Sequence, residues 1–308
     1  MAINKFMLAA MKALSSHDLD VKKNYHLDRA ITEFIHPPVI RPFRVWDEEP
    51  MINGRKVPVR IFTPEKERGR GIFLFFHGGG WVSGNTDAYT NSCTTLADET
   101  GLCVLSVDYC LAPENPFPAA PEECYAVAKS LFEHISDFGL EKEDIILIGD
   151  SAGANLCAVV SLMARDRGEF SVARQILLYP CTASYHGDDS KYRSVGEFGT
   201  DYVLTSKKIR DYTELYLTKP EDHENPYFAP LLAESLQNQP KTLVLTAECD
   251  PLRDEGEAYA ARLSDDGNDV TLYRIPDSIH GFFNMPIIFD QTRLCFEKIN
   301  EFLISNNK

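Results

Sequence analysis

Four groups of residues in this chain have types and spacings that could carry out nucleophilic chemistry. In the first, the apolar run Ile145-Ile146-Leu147-Ile148 leads into Gly149-Asp150-Ser151-Ala152-Gly153 and then into further small residues. A buried strand that runs through Gly-x-Ser-x-Gly into a helix presents the serine Oγ on a sharp, strained turn. Gly149 and Gly153 leave room for that turn, and the helix from Ala152 aims free N–H groups where negative charge would develop. The second is His77-Gly78-Gly79-Gly80-Trp81, directly after the apolar run Ile72–Phe76. Three glycines there are entropically costly, so bare backbone must be needed, as an oxyanion hole would need it. A flexible turn and a phosphate-binding loop are the rival readings of the isolated motif.

A serine nucleophile needs a base, and the chain has eight histidines. His280, in Ile279-His280-Gly281-Phe282, follows the apolar strand Val270–Tyr273 and lies downstream of the serine, past a strand's carboxyl end. His134 reads as a helix-surface or packing residue, and His17, His26 and His36 belong to N-terminal helices. His77 reads as a residue that orients the glycine loop by hydrogen bonding. An imidazole base needs a fixed carboxylate to set its tautomer. Asp250, in Cys249-Asp250-Pro251-Leu252-Arg253-Asp254-Glu255, lies nearest the end of strand Leu243–Leu245. Asp254 and Glu255 are its rivals, placed where acids often serve a helix start.

The elements that must position these groups alternate. Residues 1–36 read as helical, and a hairpin pairs Arg41–Asp47 with Val57–Thr63 around Asn53-Gly54. From Gly71 onward short apolar runs alternate with amphipathic helices at about 86–100, 119–135, 152–165, 256–266 and 290–304. This pattern implies an α/β fold with a mostly parallel sheet covered on both faces. The stretch from Cys181 to Pro240, with one helix near 205–218, is a long excursion of the kind that forms a lid.

The formal charge of −15 argues against nucleic-acid partners and anionic lipid surfaces and favours a neutral or cationic small substrate. Eight scattered cysteines without a CxxC pair fit a reduced cytoplasm. The N-terminus reads as an amphipathic helix rather than a signal peptide, and no run is long enough to span a membrane.

With its motifs assembled, the sequence resembles the hormone-sensitive lipase-like family of α/β-hydrolases, the esterases with an HGGG motif. The resemblance rests on His77–Trp81, Asp108-Tyr109-Cys110-Leu111-Ala112-Pro113-Glu114, Gly149–Gly153, Asp250–Asp254 and His280-Gly281-Phe282, and covers the chain from about Pro58. It implies a single α/β-hydrolase domain over 1–308 with an eight-stranded, mainly parallel sheet. A cap would come from about 1–40 and 182–238, with apolar pocket walls from residues 1–40 and the 205–218 helix; for Phe6, Met7 and Phe34, ordinary packing of the cap on the body is the equal alternative. It also implies Ser151, Asp250 and His280 as triad. The oxyanion hole would comprise Gly78, Gly79, Gly80 and Ala152, with N–H groups from the last three and Gly78 shaping the loop. Family members mostly hydrolyse short- to medium-chain carboxylic esters without metal or organic cofactor. Ala154, where many members have glycine, and Cys110, where arginine is common, are departures that remove no catalytic group. A small-molecule ester is the expected partner, with a homodimer left open. Sugar O-acetylesterase, lactonase or amidase chemistry, and a non-catalytic small-molecule receptor, are the alternatives.

Overall fold

An eight-stranded, mostly parallel sheet forms the centre of the fold. The structure is a computed structural model that describes residues 20–38, 44–187 and 189–304. Strands β1 (Val45–Glu48) and β4 (Val59–Phe62) pair antiparallel, and β4 pairs antiparallel with β6 (Cys103–Val107). All later neighbours are parallel: β6 with β5 (Ile72–Phe76), then β7 (Ile145–Asp150), β8 (Arg174–Leu178), β9 (Lys241–Cys249) and β10 (Val270–Ile279). Asn53-Gly54 turns a two-stranded ribbon, β2 (Met51–Ile52) with β3 (Arg55–Lys56), both turn residues having positive φ. The first strand of the expected hairpin is thus β1, paired with β4 as anticipated, while β2 and β3 lie in the connection between the two. The first residues of the expected strand, 41–43, lie outside the described residues, as do 1–19 of the expected N-terminal helices.

Side chains alternate along each central strand, so one strand feeds two cores. In β5, Phe73 and Phe75 pack into one apolar layer while Leu74 and Phe76 pack into the other, and all four are fully buried. Burying each Phe contributes about 1.5–3 kcal/mol, which explains why this strand reads as a continuous apolar run. Helices α2 (Thr90–Thr100), α3 (Ala119–His134), α4 (Ala152–Arg167), α7 (Arg253–Asp265) and α8 (Asp290–Ile304) cover the two faces. Gly101 and Gly168, both left-handed, end α2 and α4.

Two segments sit above the carboxyl ends of the strands. Helix α1 (Val21–Ile35) starts at Asp20, whose side chain accepts from Lys23 N–H. The second segment is the connection from β8 to β9, the sixth and seventh sheet strands in chain order, which carries α5 (Arg193–Phe198) and α6 (Ser206–Tyr216). The two meet through Tyr212 Oη donating to Asp28 Oδ2 at 2.9 Å, Val21 N–H donating to Asp211, and the Lys22–Glu214 ion pair.

Candidate active site

The elbow after β7 is fixed by two positions where no side chain fits. A Cβ on Gly149 would lie 2.5 Å from the Gly153 backbone, and one on Gly153 would lie 1.9 Å from Phe76 O. Between them Ser151 takes φ 54° and ψ −118°, a left-handed backbone that a side chain rarely adopts. Ser151 N–H donates to Leu178 O at 2.9 Å and Asn155 N–H to Ser151 O at 3.0 Å, so strand and helix both hold the kink.

The three residues expected to act together converge. His280 Nε2 lies 2.9 Å from Ser151 Oγ, and His280 Nδ1 lies 2.8 Å from Asp250 Oδ2. Asp250 is fully buried and its other oxygen accepts Leu252 N–H at 2.9 Å, which sets the carboxylate plane. An Nδ1–H donated to Asp250 leaves Nε2 bare toward the serine hydroxyl. The rivals of Asp250 are engaged elsewhere. Asp254 accepts Ser194 N–H and Arg253 Nε, and Glu255 accepts N–H groups of Thr182 and Ala183 and pairs with His186.

The glycine loop is braced from behind at three successive carbonyls, those of His77, Gly78 and Gly79. His77 C=O accepts Tyr109 Oη at 2.7 Å. Gly78 N–H donates to Asp150 Oδ1 at 2.8 Å and lies 3.1 Å from Tyr89 Oη, which takes it out of any set of free donors. Gly78 C=O lies 2.8 Å from His77 Nδ1, the orienting contact expected of this histidine. Gly79 C=O accepts Val82 N–H at 3.1 Å, Ser83 N–H at 2.9 Å and Ser83 Oγ at 3.2 Å. In a trans peptide the N–H points opposite to the preceding C=O. Fixing the carbonyls of Gly78 and Gly79 therefore aims the N–H groups of Gly79 and Gly80, which have no hydrogen-bond partner among the described residues. Ala152 N–H, at the start of α4, is likewise unengaged. Gly79 has φ +117°, and a Cβ there would lie 2.0 Å from Ser83 O.

Asp150 is the buried carboxyl behind the site that motif reading passed over. Its buried carboxyl gathers Gly78 N–H, Tyr89 Oη at 3.0 Å, Tyr179 Oη at 3.3 Å and Asn284 Nδ2 at 3.3 Å. Desolvation raises its pKa from 3.8 to about 6, opposed by these hydrogen bonds and by the nearby His280. One signal was available in the sequence: a carboxylate directly before the serine, inside an otherwise apolar strand.

A cavity of about 310 Å³ opens over Ser151, with Gly79, Gly80, Ala152 and His280 at its floor. Its upper wall includes Val203, Leu204, Ile209 and Tyr212 from the β8–β9 connection. A Cβ on Gly80 would lie 2.4 Å from Tyr212 Cγ, so this ring rests directly on the loop. Trp81 stacks on Tyr216, centroids 4.6 Å apart and planes 2° from parallel, which seats α6 on the same loop. Of the residues 1–40 expected to supply an apolar wall, 20–38 lie among the described residues. Helix α1 contributes Ile35 with the polar Asp28 and Thr32, whereas Phe34 is 86% exposed. Its hydrophobic spacing was compatible with packing, but the ring points to the outer face. Phe6 and Met7 lie outside the described residues. Arg29 ties α1 to the body through Val82 O, Ala112 O and both oxygens of Glu114. The 108–114 segment thus has a bracing role.

Known proteins share this arrangement of sequence and fold. The family described as having an alpha/beta hydrolase fold matches residues 73–284. An arylesterase of Saccharolobus solfataricus is 35% identical over 75% of this chain and 74% of its own length. An ethyl acetate hydrolase of Pseudomonas putida is 32% identical over 78% of this chain and 75% of its own. A solved hyperthermophilic esterase from the archaeon Pyrobaculum calidifontis superposes with a TM-score of 0.84 at 34% identity. That match covers 98% of this chain and 97% of the other. The chain belongs to the α/β-hydrolase fold family, in its hormone-sensitive lipase-like branch of esterases.

Proposed function

We propose that Ser151 is the nucleophile, His280 the general base and acid, and Asp250 the residue that orients the imidazole in a carboxylic ester hydrolase. The observation that carries this reading is the pair of contacts at 2.9 and 2.8 Å beside unengaged backbone donors. Ester carbonyl carbon is attacked by Ser151 Oγ while His280 takes the hydroxyl proton. The carbonyl oxygen, now negative, is held by the N–H groups of Gly79, Gly80 and Ala152, while Gly78 shapes the loop through Asp150. Each such donor contributes about 3–4 kcal/mol to the transition state. His280 passes its proton to the leaving alcohol. It then draws a proton from water, whose oxygen attacks the acyl-serine, and the carboxylic acid departs as Ser151 recovers its proton.

The cap in this reading comprises about 1–40 and 182–238, of which α1 and α6 meet over the cavity. A 310 Å³ space supports short- to medium-chain acyl groups. The charge of −15 supports a neutral substrate and no nucleic acid. Eight cysteines that are all free support a cytoplasmic home, and no described helix is long and apolar enough to cross a membrane.

The test is a chain-length series of p-nitrophenyl esters, run beside lactones, anilides and acetylated sugars, for wild type and Ser151→Ala. Wild type is expected to be fastest on short to medium acyl chains. Ser151→Ala is expected to lose about 10⁵–10⁶-fold in kcat. Turnover retained in Ser151→Ala, free of contaminating esterases, would remove the assignment of the nucleophile.

A further inference from the structure

A thiol, an imidazole and a carboxylate converge outside the triad. Cys181 and His186 lie on the strap that leaves β8, and Glu255 lies in the first turn of α7. All three are buried, and their ligand-type atoms lie within 4.8 Å of one another. The backbone already holds the carboxylate. Glu255 Oε1 accepts Thr182 N–H at 2.7 Å and Ala183 N–H at 3.0 Å, and Thr182 Oγ1 donates to Glu255 O at 2.9 Å. That leaves Oε2 to face His186 Nε2 at 2.6 Å.

We infer that Cys181 Sγ, His186 Nε2 and Glu255 Oε2 form a binding site for a soft divalent cation of the zinc class. Thiolate, imidazole and carboxylate are the zinc donors, whereas calcium and magnesium take oxygen alone. Metal–ligand bonds of about 2.0–2.3 Å place tetrahedral ligand atoms roughly 3.3–3.8 Å apart. Admitting the ion takes a separation of His186 Nε2 from Glu255 Oε2 by roughly 0.7 Å and a closing of any pair near the 4.8 Å limit by roughly an ångström. The second carboxylate oxygen stays bound to two N–H groups, the kind of outer support that orients a metal ligand. Cys181 also borders the cavity over Ser151, which gives the ion an entry path and a water for the fourth position.

The charges balance. With a neutral imidazole, the cluster carries the single negative charge of Glu255. Burial, with Glu255 close by, keeps the Cys181 thiol protonated. The incoming ion expels that thiol proton to solvent, while the imidazole moves its own proton from Nε2 to Nδ1. One proton leaves per ion, the occupied cluster is neutral, and binding tightens as pH rises. The ion would cross-link the start of the β8–β9 connection to the helix that follows Asp250.

Full-length, reduced, chelator-stripped protein titrated with cadmium is the direct test, read by thiolate-to-cadmium absorbance. Saturation at one ion per chain is expected. Zinc at about a hundredfold excess over its Kd should raise Tm by roughly 4 °C. Cys181→Ser should abolish the band, and His186→Gln, which keeps an amide donor for Glu255, should weaken cadmium at least roughly tenfold. Metal-free melting curves establish that both variants fold. No band in wild type, an undiminished band in Cys181→Ser, or unchanged affinity in His186→Gln would each overturn the site. None of these measurements uses ester turnover, so they stand apart from the triad assignment.

Discussion

The floor of the cavity and its roof are held by different kinds of interaction. On the floor, every peptide from His77 to Gly79 has a buried partner, and two glycines of the elbow face backbone at distances no side chain tolerates. The roof is held by side chains: partly exposed ones, such as Arg29 with Glu114 toward the body and Tyr212 with Asp28 within the roof, beside the buried stack of Tyr216 on Trp81, while Phe34 turns to solvent. A charge developing in a transition state needs donors that do not reorganise, and backbone amides braced from behind supply that. A pocket wall has only to exclude water and fit an acyl chain, which side chains on a less buried helix can do. The contrast predicts that substitutions in the floor change kcat, whereas those in the roof change KM.

Asp250→Asn tests the floor most severely. An asparagine offers its N–H₂ or C=O to Nδ1 and loses control of the tautomer, so kcat should fall about 10⁴-fold with KM little changed, measured on p-nitrophenyl acetate. Next comes Gly79→Ala, whose added Cβ would press on Ser83 O and shift the aimed amides. A loss of about 10²–10³-fold in kcat is expected with the triad intact, and a change confined to KM would break the comparison.

Asp150→Asn acts one layer deeper and should lower kcat by about tenfold, since it touches the loop only through Gly78. Its sharper readout is pH. Folded Asp150 has a pKa above the ordinary carboxyl value, so the folded state binds that proton more tightly than the unfolded chain. The associated stability is present below about pH 4 and lost as pH rises to about 6. Wild-type stability minus that of the variant, from urea unfolding, should therefore fall by about 3 kcal/mol across that window. A flat difference would mean that the carboxyl is not desolvated as the structure has it. The smallest effect belongs to the roof. Arg29→Ala removes the bonds from α1 to Val82, Ala112 and Glu114. Partial exposure limits the cost to about 1–2 kcal/mol of stability, with KM raised a few fold and kcat nearly constant.

The same contrast separates what the sequence discloses from what it hides. Continuous apolar runs at Ile72–Phe76 and Ile145–Ile148 announce strands buried on both faces, and Gly149, Gly153 and Gly79 announce close backbone approach. Position relative to strand ends pointed to His280 and Asp250, which do meet beside Ser151, because loops at those ends share one rim of a parallel sheet. Asp150 escaped notice because its partners Tyr89, Tyr179 and Asn284 come from three separate segments that no local pattern links. Phe34 misled because helical spacing tells which residues share a stripe but not which way the stripe faces. Likewise the partnership of Cys181 and His186 with Glu255 depends on how a long irregular strap folds back, which periodicity does not encode.

With Ser151 in its proposed role, its dihedral angles set turnover against durability at a single α-carbon. A φ of 54° with a β-substituent costs of order 1–3 kcal/mol, a cost that glycine would escape. Selection for a longer-lived molecule would thus favour glycine there, and in the proposed mechanism only selection for hydrolysis opposes it. Efforts to toughen this enzyme should leave that kink alone and look for gains in α1 and the β8–β9 connection, where added rigidity does not act on Ser151.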